Sequence, residues 1–339
     1  MRNNALYFPY ISIPDTAWTM RTLLYWDKLS AIVPLELAYR TEELDVFMRE
    51  LLDAGLVNTV IPAQYLWRLE QFDTAFVQLV EARLRTLYYS PERIKARPRV
   101  RIHIEKLRGI PEFLVGCGAA ERLDDSWYMV EASIAKLFMA YLAVCLGAQE
   151  GVDAAPVTNR WEYASLFGLG RTLRRSQKPE HQDARHEILD CLLPVPDGKV
   201  SLTAVVKFKE QYGDLLPALR EMIEVRSAAI ALLQDAEDRA DAISDFVKQS
   251  KSQIDELSDA MRFNWKQITF GALFPLAGNG IQWATTSPDS PALWAGTALS
   301  FASAAYVALT SSGLGRADLR DKPLAYIAHA RRQFATKRG

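Results

Sequence analysis

Hydrophobic and polar residues follow two rhythms along this 339-residue chain, and the change of rhythm divides it. Residues 5–13, Ala-Leu-Tyr-Phe-Pro-Tyr-Ile-Ser-Ile, predict a short strand, with Pro9 marking an edge or bulge. Pro14-Asp15 opens a helix holding Trp18, Leu24 and Leu29, with Asp15 as its cap. Thr41-Glu42-Glu43 places acids in the positive first turn of a second helix. Leu44, Phe47, Met48, Leu51 and Leu52 then recur at the spacing of one buried face. Gly55 ends that helix, because glycine enters the left-handed position after a helix without strain.

Residues 56–61 predict a strand stopped by Pro62, and residues 63–87 an amphipathic helix. Val100, Ile102 and Ile104 alternate with Arg101, His103 and Glu105, the period-two mark of a half-buried strand. Residues 128–147 carry only Glu131 and Lys136 as charges and read as a buried core helix, too short for a membrane span. Leu192-Leu193-Pro194-Val195-Pro196-Asp197-Gly198 reads as a boundary.

From Phe208 the rhythm becomes a 4-3 heptad. Tyr212, Leu215, Leu219, Met222, Arg226, Ala229, Leu233, Ala236, Ala240, Ile243, Val247, Ser250, Ile254, Leu257 and Met261 hold the seam. Such a repeat predicts one long helix, used in a coiled coil or folded back on the protein's own bundle. Between Lys266 and Arg316 the ionisable side chains are Asp289 and Tyr306 alone. Residues 267–288 and 290–315 are each long enough for a bilayer of ~30 Å. Basic residues outside both ends predict a hairpin with both termini inside. Ala292, Gly296, Ser300, Ala304 and Ala308 form a small-residue packing stripe, and Trp283 and Trp294 flank the turn. The alternative is a hairpin buried among soluble helices.

The expected fold class is therefore mixed and predominantly α. A helix-rich α/β domain covers 1–200, a long coiled-coil-like helix 201–266, a hydrophobic helical hairpin 267–315 and a basic C-terminal tail 316–339.

Charge and composition narrow the chemistry. A net charge of −1 excludes a globally basic nucleic-acid binder. The three cysteines are dispersed, which argues against a disulfide framework and for a reducing compartment. The N-terminus lacks the pattern of a secretory signal, so the expected location is the cytoplasm, with association at the inner membrane through the hairpin. No P-loop, HExxH or GxSxG motif occurs, and neither a cofactor nor a metal is expected. His181 and His186 are five apart and do not share a helix face.

Two basic segments are candidate anion sites. Arg97, Arg99 and Arg101 recur at alternate positions and would line one edge of an extended chain, suited to phosphate or to an acidic protein surface. The same pattern also protects an edge strand from aggregation. Arg171, Arg174 and Arg175 follow Gly168-Leu169-Gly170, where backbone amides and guanidiniums can hold phosphate.

Ala5-Leu6-Tyr7-Phe8-Pro9-Tyr10-Ile11, Leu24-Tyr25-Trp26-Asp27-Lys28, Leu193-Pro194-Val195-Pro196 and Pro323-Leu324-Ala325-Tyr326 resemble segments of a bacterial family of uncharacterised proteins. The resemblance implies an accessory role of the kind found in defence or stress loci and transfers no catalytic residue. The expectation is a non-enzymatic protein that binds a partner through its N-terminal domain, forms a homo-oligomer or complex, and engages the inner membrane. The alternatives are a soluble scaffold subunit with the hairpin buried, or an enzyme acting on a phosphate-bearing substrate. A nucleotide or nucleic acid is an allowed partner that no motif specifies.

Overall fold

Short apolar runs bounded by turn residues pair in parallel when helices connect them, and the N-terminal half of the chain is built this way. The computed structural model describes residues 2–86, 96–164, 179–194, 201–262 and 322–334. The chain is mixed α/β and mostly helical, in two compact units, Met1–Leu169 and Gly170–Gly339.

In the first unit, strands β1 (Asn4–Tyr7), β2 (Leu29–Ile32), β3 (Val57–Val60) and β7 (Ala154–Val157) form a parallel sheet ordered β3-β2-β1-β7. The chain steps outward from β1 to β3 and later returns to the other side of β1, so the order reverses between β1 and β7. Ala5, Leu6 and Tyr7 are wholly buried, as a central parallel strand requires. The connecting helices are α1 (Ala17–Tyr25), α2 (Leu35–Tyr39), α3 (Val46–Asp53), α4 (Ala63–Leu66) and α5 (Phe72–Thr86).

Helix α3 starts where the Asp45 carboxylate accepts from Met48 N at 2.8 Å. It ends with Leu56 N donating to the Leu51 carbonyl and Gly55 N to the Leu52 carbonyl. Gly55 has φ +66°, the left-handed conformation the sequence predicts.

A second, antiparallel sheet has the order β4-β6-β5, from Arg99–His103, Trp127–Glu131 and Ala120–Arg122. Helices α6 (Ile104–Leu107) and α7 (Pro111–Gly116) lie between β4 and β5, and α8 (Ala132–Gly147) leads to β7. A Cβ on Gly147 would sit 2.5 Å from the Ala154 carbonyl oxygen, so glycine lets α8 end directly against β7. The apolar run at 128–147 is thus a strand and a helix. Glu131 separates them by accepting from Ile134 N at 2.9 Å as the helix cap. A last short helix, α9 (Trp161–Ala164), follows β7.

The second unit contains α10 (Pro179–Leu192), α11 (Leu202–Tyr212), α12 (Leu216–Ile230), α13 (Ala236–Arg262) and α14 (Ala325–Phe334). Helix α10 packs on α12 and α13, and α14 packs on α13 and α11. The Phe208 ring lies 5.0 Å from Tyr326 and 5.2 Å from Phe334. Part of the stretch read as a basic tail is therefore a core helix.

The heptad stretch is divided among three helices, α11, α12 and α13, because residues 213–215 form a 3-10 turn and residues 231–235 leave the helix. Ala236 and Ala240 are exposed, and the buried line of α12 runs through Leu219, Ile223, Ser227 and Ile230 instead. In α13 the heptad positions Ile243, Val247, Ser250, Ile254 and Leu257 are buried as the pattern predicts. Arg226, a polar seam residue, places its guanidinium 5.2 Å from the Phe246 ring.

The transmembrane reading is corrected. Among the described residues no helix is long and apolar enough to cross a membrane. Apolar α8 has only 16 residues, short of the ~20 a span needs, and 27-residue α13 is charged along its exposed faces. The stretch 267–315, with Trp283, Ala292, Trp294, Gly296, Ser300, Ala304 and Ala308, lies outside the described residues.

Candidate ligand site at the carboxyl edge of the parallel sheet

An open parallel sheet exposes a crevice at the carboxyl ends of its strands where the strand order reverses. Here that place lies between β1 and β7. Beyond β1 the chain runs Phe8-Pro9-Tyr10, with a cis peptide before Pro9. Phe8 N donates to the Val157 carbonyl at 3.2 Å, so the two strand ends stay joined one residue past the sheet. Beyond β7, Thr158 Oγ1 accepts from Arg160 N at 3.1 Å and folds Asn159 and Arg160 into a tight turn before α9.

Five aromatic rings lie at or near this turn. Tyr7 is buried, donates its hydroxyl to Asn159 Oδ1 at 3.3 Å and lies 5.5 Å from Trp18. Phe8 meets Tyr163 edge-on at 6.1 Å. Tyr10 is 48% exposed, and the Arg160 guanidinium stands 5.7 Å from its ring. Lys136, from α8, places Nζ 5.9 Å from the Tyr163 ring. Among the described residues no carboxylate pairs with Arg160 or Lys136 in an ion pair.

Burial pushes the Tyr7 phenol well above its ordinary range; Tyr10 adds to this and Arg160 opposes it. Burial also pushes Tyr163 up to about 12, with Tyr10 and Glu162 adding and Arg160 opposing. Both phenols are therefore neutral hydrogen-bonding groups at neutral pH, while Arg160 and Lys136 carry positive charge. The arrangement offers two cations, an amide and an exposed ring.

The carboxyl ends of β2 and β3 are occupied differently. Glu105, at the start of α6, accepts from Leu35 N at 2.7 Å and from Ala63 N at 3.3 Å. One internal carboxylate thus takes the anion position above two strand ends. His103 orients it, because His103 Nδ1 accepts from Glu105 N at 3.3 Å. His103 Nε2 lies 4.0 Å from Glu36, and its ring lies edge-on to Trp127 at 5.0 Å. Burial holds the His103 imidazole below its usual range and pushes the Lys106 ammonium down to about 8.

The basic edge read from the sequence is largely engaged by the protein itself. Arg97 lies 3.8 Å from Glu131. Arg99 pairs with Glu121 at 3.4 Å and donates to the Gly118 carbonyl at 3.1 Å. Arg101 lies over the Trp127 ring at 4.4 Å. Arg171, Arg174 and Arg175 lie outside the described residues. His181 is buried beside Glu224 at 3.3 Å, and exposed His186 lies 3.7 Å from Asp190. Among the described residues no group of His, Cys, Asp and Glu could hold a metal ion.

Sequence reasoning missed Arg160, Asn159, Tyr10 and Lys136. The one available signal was the polar Thr-Asn-Arg following the apolar Ala154–Val157, and Pro156 hid that strand. Pro156 is tolerated because, among the described residues, β7 is an edge strand paired with β1 alone.

Comparison of the chain with protein-family models, with curated proteins and with solved structures gives no match in any of the three.

Proposed function

We propose that this is a ligand-binding protein whose N-terminal unit takes a small phosphate-bearing molecule of nucleotide type between the carboxyl ends of β1 and β7. The observation that carries the reading is the exposed Arg160 guanidinium. It has no ion-pair partner among the described residues and stands against the Tyr10 ring at the point where the strand order reverses. An arginine that meets phosphate does so through charge-assisted hydrogen bonds, and the neighbouring ring offers a stacking face for a base. Lys136 adds a second positive charge, and Asn159 a hydrogen-bonding amide already oriented by Tyr7.

The contrast with Glu105 supports the same reading. Above β2 and β3 a carboxylate of the chain caps the loop amides, and beyond β7 an exposed cation faces outward. This is the partner-binding role expected of the N-terminal domain, placed here at Arg160.

Isothermal titration of the full chain with ADP, ATP and inorganic pyrophosphate tests it. Saturable binding of at least one, weakened about tenfold or more in Arg160→Ala, supports the proposal; this corresponds to one charge-assisted hydrogen bond of ~1.5–3 kcal/mol. Equal affinity in both proteins, or no binding at millimolar concentration, refutes it.

A further inference from the structure

A half-open pocket lies over one face of the parallel sheet and shares no residue with the site above. Its volume is about 510 Å³, within the ~300–1,000 Å³ typical of small-molecule sites. The in-register pairing of Leu6 with Ser30 and of Ser30 with Asn58 puts these residues on one face, and Asn4, two residues before Leu6, shares it. Asn4, Ser30, Asn58 and Thr59 all line the cavity, with Tyr65 and Gly151 among the remaining walls.

Two features set this cavity apart from a chance hollow. The first is Ser30. It is only 7% exposed, in a strand whose other members are Leu29, Ala31 and Ile32. Among the described residues its hydroxyl has no hydrogen-bond partner and keeps some access to solvent, so it is open to a ligand in the pocket. The side chains of Asn4, Asn58 and Thr59 likewise make no hydrogen bond among the described residues. Four neutral donor–acceptor groups therefore converge on one space without using one another.

The second feature is charge. Among the described residues no Asp, Glu, Lys, Arg or His lines the cavity. An anionic or cationic ligand would lose hydration there and find no counter-charge. A neutral molecule rich in hydroxyls would exchange its water contacts for amide and hydroxyl partners, with its apolar faces against Tyr65, Leu52 and Val152. Gly151 has φ +90°, and a Cβ there would already touch Tyr65 Cε1 at 4.0 Å. A larger side chain at that position would narrow the opening.

We infer that this cavity binds a neutral, hydroxyl-rich small molecule of the sugar or polyol class, using Asn4, Ser30, Asn58 and Thr59 as hydrogen-bonding groups. The inference does not rest on the nucleotide site, and Arg160→Ala leaves it untouched.

Saturation-transfer NMR and calorimetry on the full chain test it, with ribose, glucose and myo-inositol as neutral probes and gluconate and glucose-6-phosphate as charged ones. The expected result is binding of at least one neutral probe in preference to the charged ones, weakened about fivefold or more by Asn58→Ala and by Ser30→Ala. Asn58 is exposed, so Asn58→Ala decides the matter even if the substitution at Ser30 impairs folding. Absence of neutral binding at 10 mM or above, tighter binding of the charged probes, or affinity unchanged in Asn58→Ala would overturn the inference.

Discussion

The Tyr7 hydroxyl donates to Asn159 Oδ1 at 3.3 Å, joining the last residue of β1 to the turn that follows β7. Because Tyr7 is fully buried, its ring is held by packing and its hydroxyl has little freedom to choose another partner. The bond fixes one amide of the turn that also carries Arg160. Tyr7→Phe keeps the packing and removes the bond. It is expected to cost about 1 kcal/mol in denaturant unfolding and to weaken ADP binding severalfold. Unchanged ligand affinity would show that Asn159 needs no such support.

Glu105 holds Leu35 N and Ala63 N at once, so Glu105→Ala leaves two loop amides without their acceptor. Both bonds are solvent-accessible, which limits the loss to about 1–2 kcal/mol. The effect is local. Hydrogen exchange is expected to accelerate at Leu35 and Ala63 and to remain slow in β1.

His103 gives the first unit a dependence on pH. Burial lowers its folded pKa, Lys106 adds to this, and Glu105, Glu36 and Asp124 oppose it. An imidazole protonated at Nδ1 can no longer accept from Glu105 N. The unfolded chain then binds more protons than the folded one, so stability rises with pH through this window. The contribution is complete above the unfolded value of about 6.5 and fades as pH falls below it. His329, also lowered by burial, adds a slope of the same sign in the second unit. His103→Asn preserves a side-chain acceptor at the cap and removes the titration. Unfolding measured from pH 5 to pH 8 is expected to show a shallower slope in His103→Asn than in the wild type.

Ser30→Ala removes a hydroxyl that has no protein partner among the described residues and meets solvent in the pocket. Because no protein hydrogen bond is lost, stability without ligand is expected to stay within about 0.5 kcal/mol of the wild type in thermal unfolding, while neutral-ligand binding falls. A loss of stability would mean that the hydroxyl is satisfied within the folded chain.

Local signals in the sequence were legible and long-range ones were not. Gly55 is legible because one residue type fits its left-handed backbone, and the alternation around Val100 and Ile102 marks β4 because one face is buried there. The break at 231–235 is hidden because Ala231, Leu232 and Leu233 are good helix formers, and tertiary packing on α10 overrides them. Glu131 reads as one of two charges inside an apolar helix, although its carboxylate caps that helix. The site itself depends on strand order. Arg160 becomes a candidate only when β7 lies beside β1, and residues separated by some 150 positions give no local sign of that pairing.

Calorimetry of ADP against adenosine, in the wild type and in Arg160→Ala, tests the central claim most directly. The wild type is expected to bind ADP about tenfold or more tightly than adenosine, and Arg160→Ala is expected to bind the two nearly alike. Equal affinities for ADP and adenosine in the wild type, or a phosphate preference that persists in Arg160→Ala, would contradict the account.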